Sequence, residues 1–440
     1  MAVNRPVRLY LASLGCPKNL VDSERALAGL TQGGMELVTD PEEADTILVN
    51  TCGFVADAKE ESVDTILELA DIKKTRPDVK LAVMGCLSER YRDDLARDIP
   101  EIDLIFGAGQ LRDLVGALAP NPPTFSDPDE LVRVITTAPH WAYLKIAEGC
   151  SNNCAFCIIP AIRGPFISRP MDAIVDEARR LADAGVKEIN LVAQDSTLYG
   201  ADLKIRDGLA ALLDRLDKVD GIAWIRPMYL YPALVTDRLL KTMADAEKVV
   251  PYFDMPLQHA DDGVLARMRR PETNGQIRRL IETIRTTLPD AAIRTAFITG
   301  FPGETDAAFE TLLSLVAEAR FDHMGAFVYS PEEGTEAATL PDQIPEAIAR
   351  GRYERLMTLQ NGISAAKQEA KIGMTAAVMI DGFDEEESLM TGRLATQAPG
   401  IDGSVILDGV EGAPGDFVDV TVTGATDYDL VASGHLSEEE

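Results

Sequence analysis

The stretch Glu148-Gly149-Cys150-Ser151-Asn152-Asn153-Cys154-Ala155-Phe156-Cys157 holds three of the chain's six cysteines, spaced Cys-x-x-x-Cys-x-x-Cys. Thiolates at this density select zinc, copper or iron–sulfur clusters. A closed structural zinc site takes four ligands, usually two Cys-x-x-Cys pairs or one pair with histidines. Here there is one triplet, and the nearest histidine, His140, lies upstream at the start of a strand-like run. Three cysteines on a 4Fe–4S cluster leave one iron without a protein ligand, open to a small molecule. A structural zinc knuckle is the competing reading of the triplet by itself.

The chain has 440 residues, enough for two or three domains. Its apolar fraction of 46% is ordinary for a globular protein. No run reaches the roughly 18 unbroken apolar residues of a membrane span. Met1 to Arg8 carries no long apolar core and no small-residue cleavage site, so no signal peptide and a cytoplasmic location are expected. That compartment is reducing and favours metal thiolates over disulfides. The net charge of −30, from 42 basic against 72 acidic residues, disfavours a mainly electrostatic grip on nucleic acid. It suits simple solubility or a basic partner.

The remaining three cysteines each end an apolar run: Val7 to Cys16, Thr46 to Cys52 and Lys80 to Cys86. Helix-like segments follow them, Leu20 to Gly33, Ala56 to Lys74 and Ser88 to Asp98. This alternation predicts a parallel sheet covered on both faces. In such sheets ligands sit at the carboxyl ends of the strands. Cys16, Cys52 and Cys86 are therefore expected to meet at one edge and form a second three-thiolate site. Glycines beside them, Gly15, Gly53 and Gly85, fit the close packing of a bulky cluster.

The domain organisation expected is an open α/β sheet over 1–118, a Pro- and Asp-rich linker over 119–131, an α/β domain over 132–370 and a small β-barrel over 371–440. In the central domain the strand candidates are Trp141 to Glu148, Glu188 to Ala193, Ile222 to Met228, Tyr252 to Leu257, Ile293 to Thr299 and Met324 to Tyr329. Helices are expected over Met171 to Ala184, Arg206 to Val219, Thr236 to Ala246, Asn274 to Leu288 and Asp306 to Ala319. Six such units make a partial (βα)6 barrel, open on one side, with the Cys150 triplet after its first strand at the active face. Ile344 to Ala370 reads as a connecting helix. Short strands at Thr375 to Ile380, Met390 to Ala395, Val405 to Leu407 and Phe417 to Thr423 make the C-terminal barrel.

With the triplet, the scattered cysteines and the terminal barrel together, the chain resembles the radical S-adenosylmethionine (SAM) methylthiotransferases over nearly its whole length. The resemblance is carried further by Leu14-Gly15-Cys16-Pro17-Lys18-Asn19-Leu20-Val21-Asp22-Ser23-Glu24 and Gln194-Asp195-Ser196-Thr197-Leu198-Tyr199-Gly200. Pro256-Leu257-Gln258-His259-Ala260, Gly300-Phe301-Pro302-Gly303-Glu304-Thr305 and Tyr329-Ser330-Pro331-Glu332-Glu333-Gly334-Thr335 add to it. The transfer-RNA-modifying branch usually starts Gly-Cys-Gln-Met-Asn, where this chain has Gly15-Cys16-Pro17-Lys18-Asn19. The resemblance implies a TRAM-type terminal barrel and two 4Fe–4S clusters, one on Cys16, Cys52 and Cys86, the other on Cys150, Cys154 and Cys157. It implies that one SAM methylates a sulfide at the first cluster. A second SAM, cleaved at the other, yields a radical that abstracts hydrogen from the β-carbon of an aspartate in a small-subunit ribosomal protein. Methylthiolation of an adenosine beside the tRNA anticodon is the alternative substrate, and a non-catalytic iron–sulfur carrier the alternative class. A low-potential electron donor is implied in either enzyme reading.

Further site residues follow from this frame. Phe156 is expected against the SAM adenine. Gln194, Gln258 and Glu304 end strands and are expected near SAM or substrate, with Gly300 and Gly303 allowing backbone approach or forming a turn. His259 is a hydrogen-bond donor or a structural histidine. Arg163 and Arg226 could each clamp a carboxylate or serve the structure. From Lys371 to Glu440 there are 15 acidic residues against only Lys371 and Arg393. That balance, including Asp384 to Glu387 and Glu438 to Glu440, repels a polyanion and suits a basic ribosomal protein, so RNA binding is not expected to dominate.

Overall fold

Every residue of the strand Thr46–Thr51 is buried, as a parallel sheet covered on both faces requires. A computed structural model of the chain describes residues 5–384 and 389–434. The strand is the central member of an all-parallel sheet of five, ordered β2-β1-β3-β4-β5. Here β1 is Val7–Ser13, β2 Met35–Leu37, β3 Thr46–Thr51, β4 Lys80–Gly85 and β5 Leu104–Ile105. Alternation along β3 feeds two cores. Leu48 packs with Leu27 and Leu30 of the helix Pro17–Gln32 and with Leu114 and Leu118 of the helix Leu111–Leu118. Ile47 and Val49 pack with Ile66 and Leu69 of the helix Ala56–Ala70.

The first helix begins at Pro17, three residues before the expected start. Proline at a first helical position has its φ preset and loses no hydrogen bond. The helix expected over Ala56 to Lys74 breaks at Asp71 into Ala56–Ala70 and Ile72–Thr75. The one expected over Ser88 to Asp98 is two, Cys86–Arg90 and Arg92–Asp98. The edge strands β2 and β5 span three and two residues, too short to leave a sequence period.

The chain forms two compact units. The first comprises residues 1–136, 148–152 and 157–167; the second comprises 137–147, 153–156 and 168–440. In the second, six parallel strands lie in two sheets of three, each in chain order. One holds Trp141–Lys145, Glu188–Val192 and Trp224–Pro227; the other holds Tyr252–Asp254, Ala292–Thr299 and His323–Val328. The backbone of Ile225 links them, donating to Lys248 O at 2.8 Å and accepting from Val250 N–H at 3.0 Å. The helices Met171–Asp183, Gly208–Leu216, Asp237–Asp245, Asn274–Thr287 and Asp306–Ala319 connect the strands. Thr305, Thr273 and Thr236 cap their helices through their hydroxyls, as short polar side chains do.

After the long helix Glu346–Glu369, five strands close a barrel: Thr375–Asp384, Leu389–Arg393, Val405–Asp408, Leu430–Gly434 and Phe417–Ala425, the last pairing back to the first. The sequence pattern marks four of them. Leu430–Gly434, which pairs parallel with Val405–Asp408, is the one that shuts the ring. Glu385 to Glu387 and Glu438 to Glu440 lie outside the described residues.

The closed barrel packs on the amino-terminal ends of the six strands. Glu188, at the start of its strand, accepts from Arg226 at 3.0 Å and from Arg393 of the barrel at 2.7 Å. Arg393 also holds Asp381 at 2.7 Å, and His140 meets Asp381 at 2.8 Å. Arg226 donates to Ala395 O at 2.8 Å, and Tyr252 donates to Asp402 at 2.6 Å. Burial opposes ionisation of Asp381, but its bonds from His140 and Arg393 hold the carboxyl below its ordinary value. Arg226 is thus committed to Glu188 at the strand base, the structural role of the two considered for it.

Removing one member of a buried ionic network strands the others without a partner and costs about 3–5 kcal/mol. Arg393→Ala should therefore lower the unfolding free energy of the second unit by that amount, read as a lower urea midpoint at unchanged slope, with partial recovery in Arg393→Lys. Trp224, edge-on to Phe417 at 5.2 Å across this seam, supplies the fluorescence signal.

Candidate active site

Cys52 and Cys86 directly follow the carboxyl ends of β3 and β4, Cys16 follows that of β1 after two residues, and the parallel register fixes them at one edge. Ser13 pairs with Asn50 and Thr51 with Gly85. Gly15 adopts φ +88°, and a Cβ there would lie 2.8 Å from Cys52 Cβ, so only glycine lets the two loops touch. Asn19, fully buried, ties the loops together. Its amide donates to Leu14 O at 3.1 Å and to Thr51 O at 3.0 Å, and its carbonyl accepts from Arg163 and, at 3.6 Å, from the Cys86 thiol. Arg163 also pairs with Asp22 at 3.1 Å and Glu148 at 2.8 Å within the same unit.

None of the six cysteines, all among the described residues, is in a disulfide. Burial opposes ionisation of Cys16, but Lys18, Arg163 and the backbone N–H groups of Asn19 and Lys18 outweigh it and hold the thiol below its ordinary value. Burial raises Cys52 and pushes Cys86 up to about 11, against the pull of Arg163. Three free thiols beside a shared buried cation are a donor set suited to an anionic iron–sulfur centre. They are not closed on a common point: no three Cys, His, Asp or Glu side chains among the described residues stand in a metal-holding arrangement. A cavity of about 440 Å³ in this unit is lined by Glu89, Arg92, Gln110, Glu148 and Arg163, among others.

The triplet loop follows the strand Trp141–Lys145 at its carboxyl end. In the first unit, Cys150 N–H donates to Gly164 O at 3.1 Å, and Ser151 Oγ accepts from Phe166 N–H at 3.1 Å. In the second unit, Ala155 N–H donates to Met268 O at 3.0 Å and Ala155 O accepts from Ala337 N–H at 2.9 Å. Phe156 stands edge-on to Phe301 at 6.4 Å, half-buried, and Phe301 in turn to Tyr329 at 5.2 Å.

Gln194 and Gln258 also follow strand carboxyl ends, half-buried. Gln258 holds φ +68°, a left-handed conformation rare for a residue with a side chain and fixed here by its backbone bonds to Ala296 and Ile298. Gly300 and Glu304 are packed differently. The space beside Gly300 is filled by Ala349 of the long helix, since a Cβ there would lie 2.2 Å from Ala349 Cβ. The Glu304 carboxylate is buried between His259 at 3.2 Å, Arg352 at 3.0 Å and the Gly300 N–H. His259 and Glu304 therefore brace the loop after Ala292–Thr299.

Residues 8–107 match the family described as uncharacterized protein family UPF0004, residues 144–316 the radical SAM superfamily and residues 372–433 the TRAM domain. A relative from Geobacter sulfurreducens named ribosomal protein uS12 methylthiotransferase RimO is 44% identical over 97% of this chain and 98% of its own length. Another of that name, from Anaeromyxobacter sp. strain K, is 48% identical over 96% and 92%. The chain belongs to the RimO methylthiotransferase family. It is a radical-SAM methylthiotransferase, as the sequence resemblance implies. Its fold is also like that of the radical SAM methyltransferase TsrM from Kitasatospora setae, with a TM-score of 0.52 at 14% identity over 74% of this chain and 75% of that one.

Two parts of this three-loop edge escape the sequence reading. Asn19 sits inside a quoted motif, but its role depends on a carbonyl 32 residues away. Asn50, donating to Asn19 O and Ser23 Oγ at 2.8 Å each, repeats that logic. Gly15→Ala and Asn19→Ala should each disturb the three-loop edge and spare the triplet. In reconstituted protein, the iron bound per chain should fall, while reductive SAM cleavage persists.

Proposed function

We propose that this chain transfers a methylthio group to the β-carbon of an aspartate in ribosomal protein uS12, using two 4Fe–4S clusters and two molecules of SAM. The carrying observation is the pair of thiol sets, each following carboxyl ends of parallel strands, in a chain whose relatives bear the uS12 methylthiotransferase name. A cluster on Cys150, Cys154 and Cys157 supplies the electron that cleaves SAM, and one on Cys16, Cys52 and Cys86 an iron open to the sulfur donor. Two sets answer one chemical need: an unactivated C–H bond requires a radical, and the carbon radical requires a sulfur source within reach.

The chain's own residues have separable tasks. Phe156, Gln194 and Gln258 hold SAM, with Gly300 and Glu304 shaping the loop behind it. A low-potential donor reduces the clusters, and the enzyme works in the cytoplasm. The barrel recruits the substrate by charge. Asp384, Asp408, Glu411, Asp416, Asp419 and Asp427 are exposed, while its two cations are occupied. Arg393 is buried in the seam, and Lys371 donates to Gln368 at 2.8 Å. Counterion release to lysine and arginine supplies most affinity for nucleic acid, and among its described residues this surface offers only Lys371.

Cys→Ala at 150, 154 or 157 should abolish 5′-deoxyadenosine formation. Cys→Ala at 16, 52 or 86 should preserve it and stop sulfur transfer. Mass spectrometry of uS12 and of tRNA from cells lacking the chain decides the substrate: uS12 should lose one methylthio mass and tRNA none, and the converse would establish the adenosine reading. Reversing Asp408, Glu411, Asp416 and Asp419 to lysine should weaken uS12 binding and flatten its salt dependence.

A further inference from the structure

Arg270 belongs to the second unit and none of the family segments quoted above contains it. The residue is 7% exposed. Its Nη2 donates to Glu272 Oε1 at 3.0 Å and to Pro256 O at 3.2 Å, and its guanidinium lies 3.8 Å from the centroid of the Tyr231 ring. Its Nη1 points at Cys154, 4.0 Å from Sγ. Nε finds no partner among the described residues, and neither does Glu272 Oε2. Glu272, 6% exposed, also accepts from Ala233 N–H at 3.3 Å through Oε1.

The backbone builds this arrangement on purpose-shaped local geometry. Arg269 is left-handed at φ +57°, a conformation that persists only where the surroundings impose it. Met268 O receives Ala155 N–H at 3.0 Å, and Arg270 N–H is returned to Leu265 O at 2.8 Å. The turn that presents Arg270 is thus fastened to the residue that follows Cys154.

We propose that Arg270 is a positioning residue that donates an N–H···S hydrogen bond to Cys154 and so raises the reduction potential of the cluster held there, with Glu272 limiting the rise. This rests on Cys150, Cys154 and Cys157 being an iron–sulfur ligand set. Hydrogen bonds and positive charge beside cluster sulfurs stabilise the reduced, more negative state, most strongly where water is excluded. A buried Arg–Glu pair aimed at one sulfur does this with direction: the guanidinium faces the thiol, and the carboxylate moderates its charge.

The test uses the full chain with its clusters loaded, titrated potentiometrically under electron paramagnetic resonance, following the signal that changes when SAM is added. Arg270→Gln should lower the reduced-to-oxidised ratio at fixed poise about tenfold, about 59 mV for a one-electron couple. Arg270→Lys should recover most of that loss. Glu272→Gln should shift the ratio the opposite way, because the guanidinium loses its counter-charge. A merely structural role for the pair predicts no such opposition of sign. Wild-type titration of Arg270→Gln, or Glu272→Gln moving in the same direction, overturns the proposal. Should Arg270→Gln fail to take up iron, Glu272→Gln decides: a rise supports the proposal and an unshifted titration overturns it. If no signal responds to SAM in the wild type, it is the ligand-set reading that fails.

Discussion

Parallel strand pairing is the constraint from which the site follows. Successive strands of β1, β3 and β4 run the same way, so the loops that leave them emerge on the same edge, whatever their separation in sequence. Cys16, Cys52 and Cys86 gain proximity from that direction alone. The buried, two-sided strands then leave the edge no freedom to slip, because a one-residue shift would turn Leu48 into the face that Ile47 and Val49 occupy. Gly15 and Asn19 finish locally what the register starts: one removes the Cβ that would hold the loops apart, the other satisfies carbonyls from two of them.

The six strands of the second unit use their two ends for different purposes. Loops at the carboxyl ends carry Cys154, Gln194 and Gln258. The amino ends are sealed by the C-terminal barrel through Glu188, Arg226, Arg393 and Asp381, all ion-paired. Charges this deeply buried stabilise only when every member is present. The seam therefore joins the barrel to the strand bases through buried ion pairs rather than through a tether alone.

What the sequence makes legible is what is local. The Cys150, Cys154, Cys157 spacing needs no partner elsewhere to be read, and runs such as Thr46 to Cys52 declare a buried strand by their continuity. Helix ends are legible where a capping side chain marks them: the helix expected over Asp306 to Ala319 has those bounds, behind the Thr305 cap. Legibility fails where a residue's role is set by a distant contact. Arg226 has the chemistry to hold a substrate carboxylate, and its actual carboxylate, Glu188, lies on the neighbouring strand. Glu304, in the loop after Ala292–Thr299, meets Arg352 from a helix far along the chain, a contact no local pattern announces. Arg270 carries no motif at all; only the turn at Arg269 aims it.

The described surface of the barrel is acidic. Small five-stranded barrels include nucleic-acid binders, and such a surface needs free lysine or arginine to displace counterions from phosphate. Here Arg393 is spent internally on Glu188 and Asp381, and Lys371 donates to Gln368. Six described acidic residues remain outward. Repulsion of a polyanion is as much a part of selectivity as attraction of a polycation, since specificity is a difference between two affinities. Arg393, the side chain that locks the barrel to the strand bases, is thereby withdrawn from the surface.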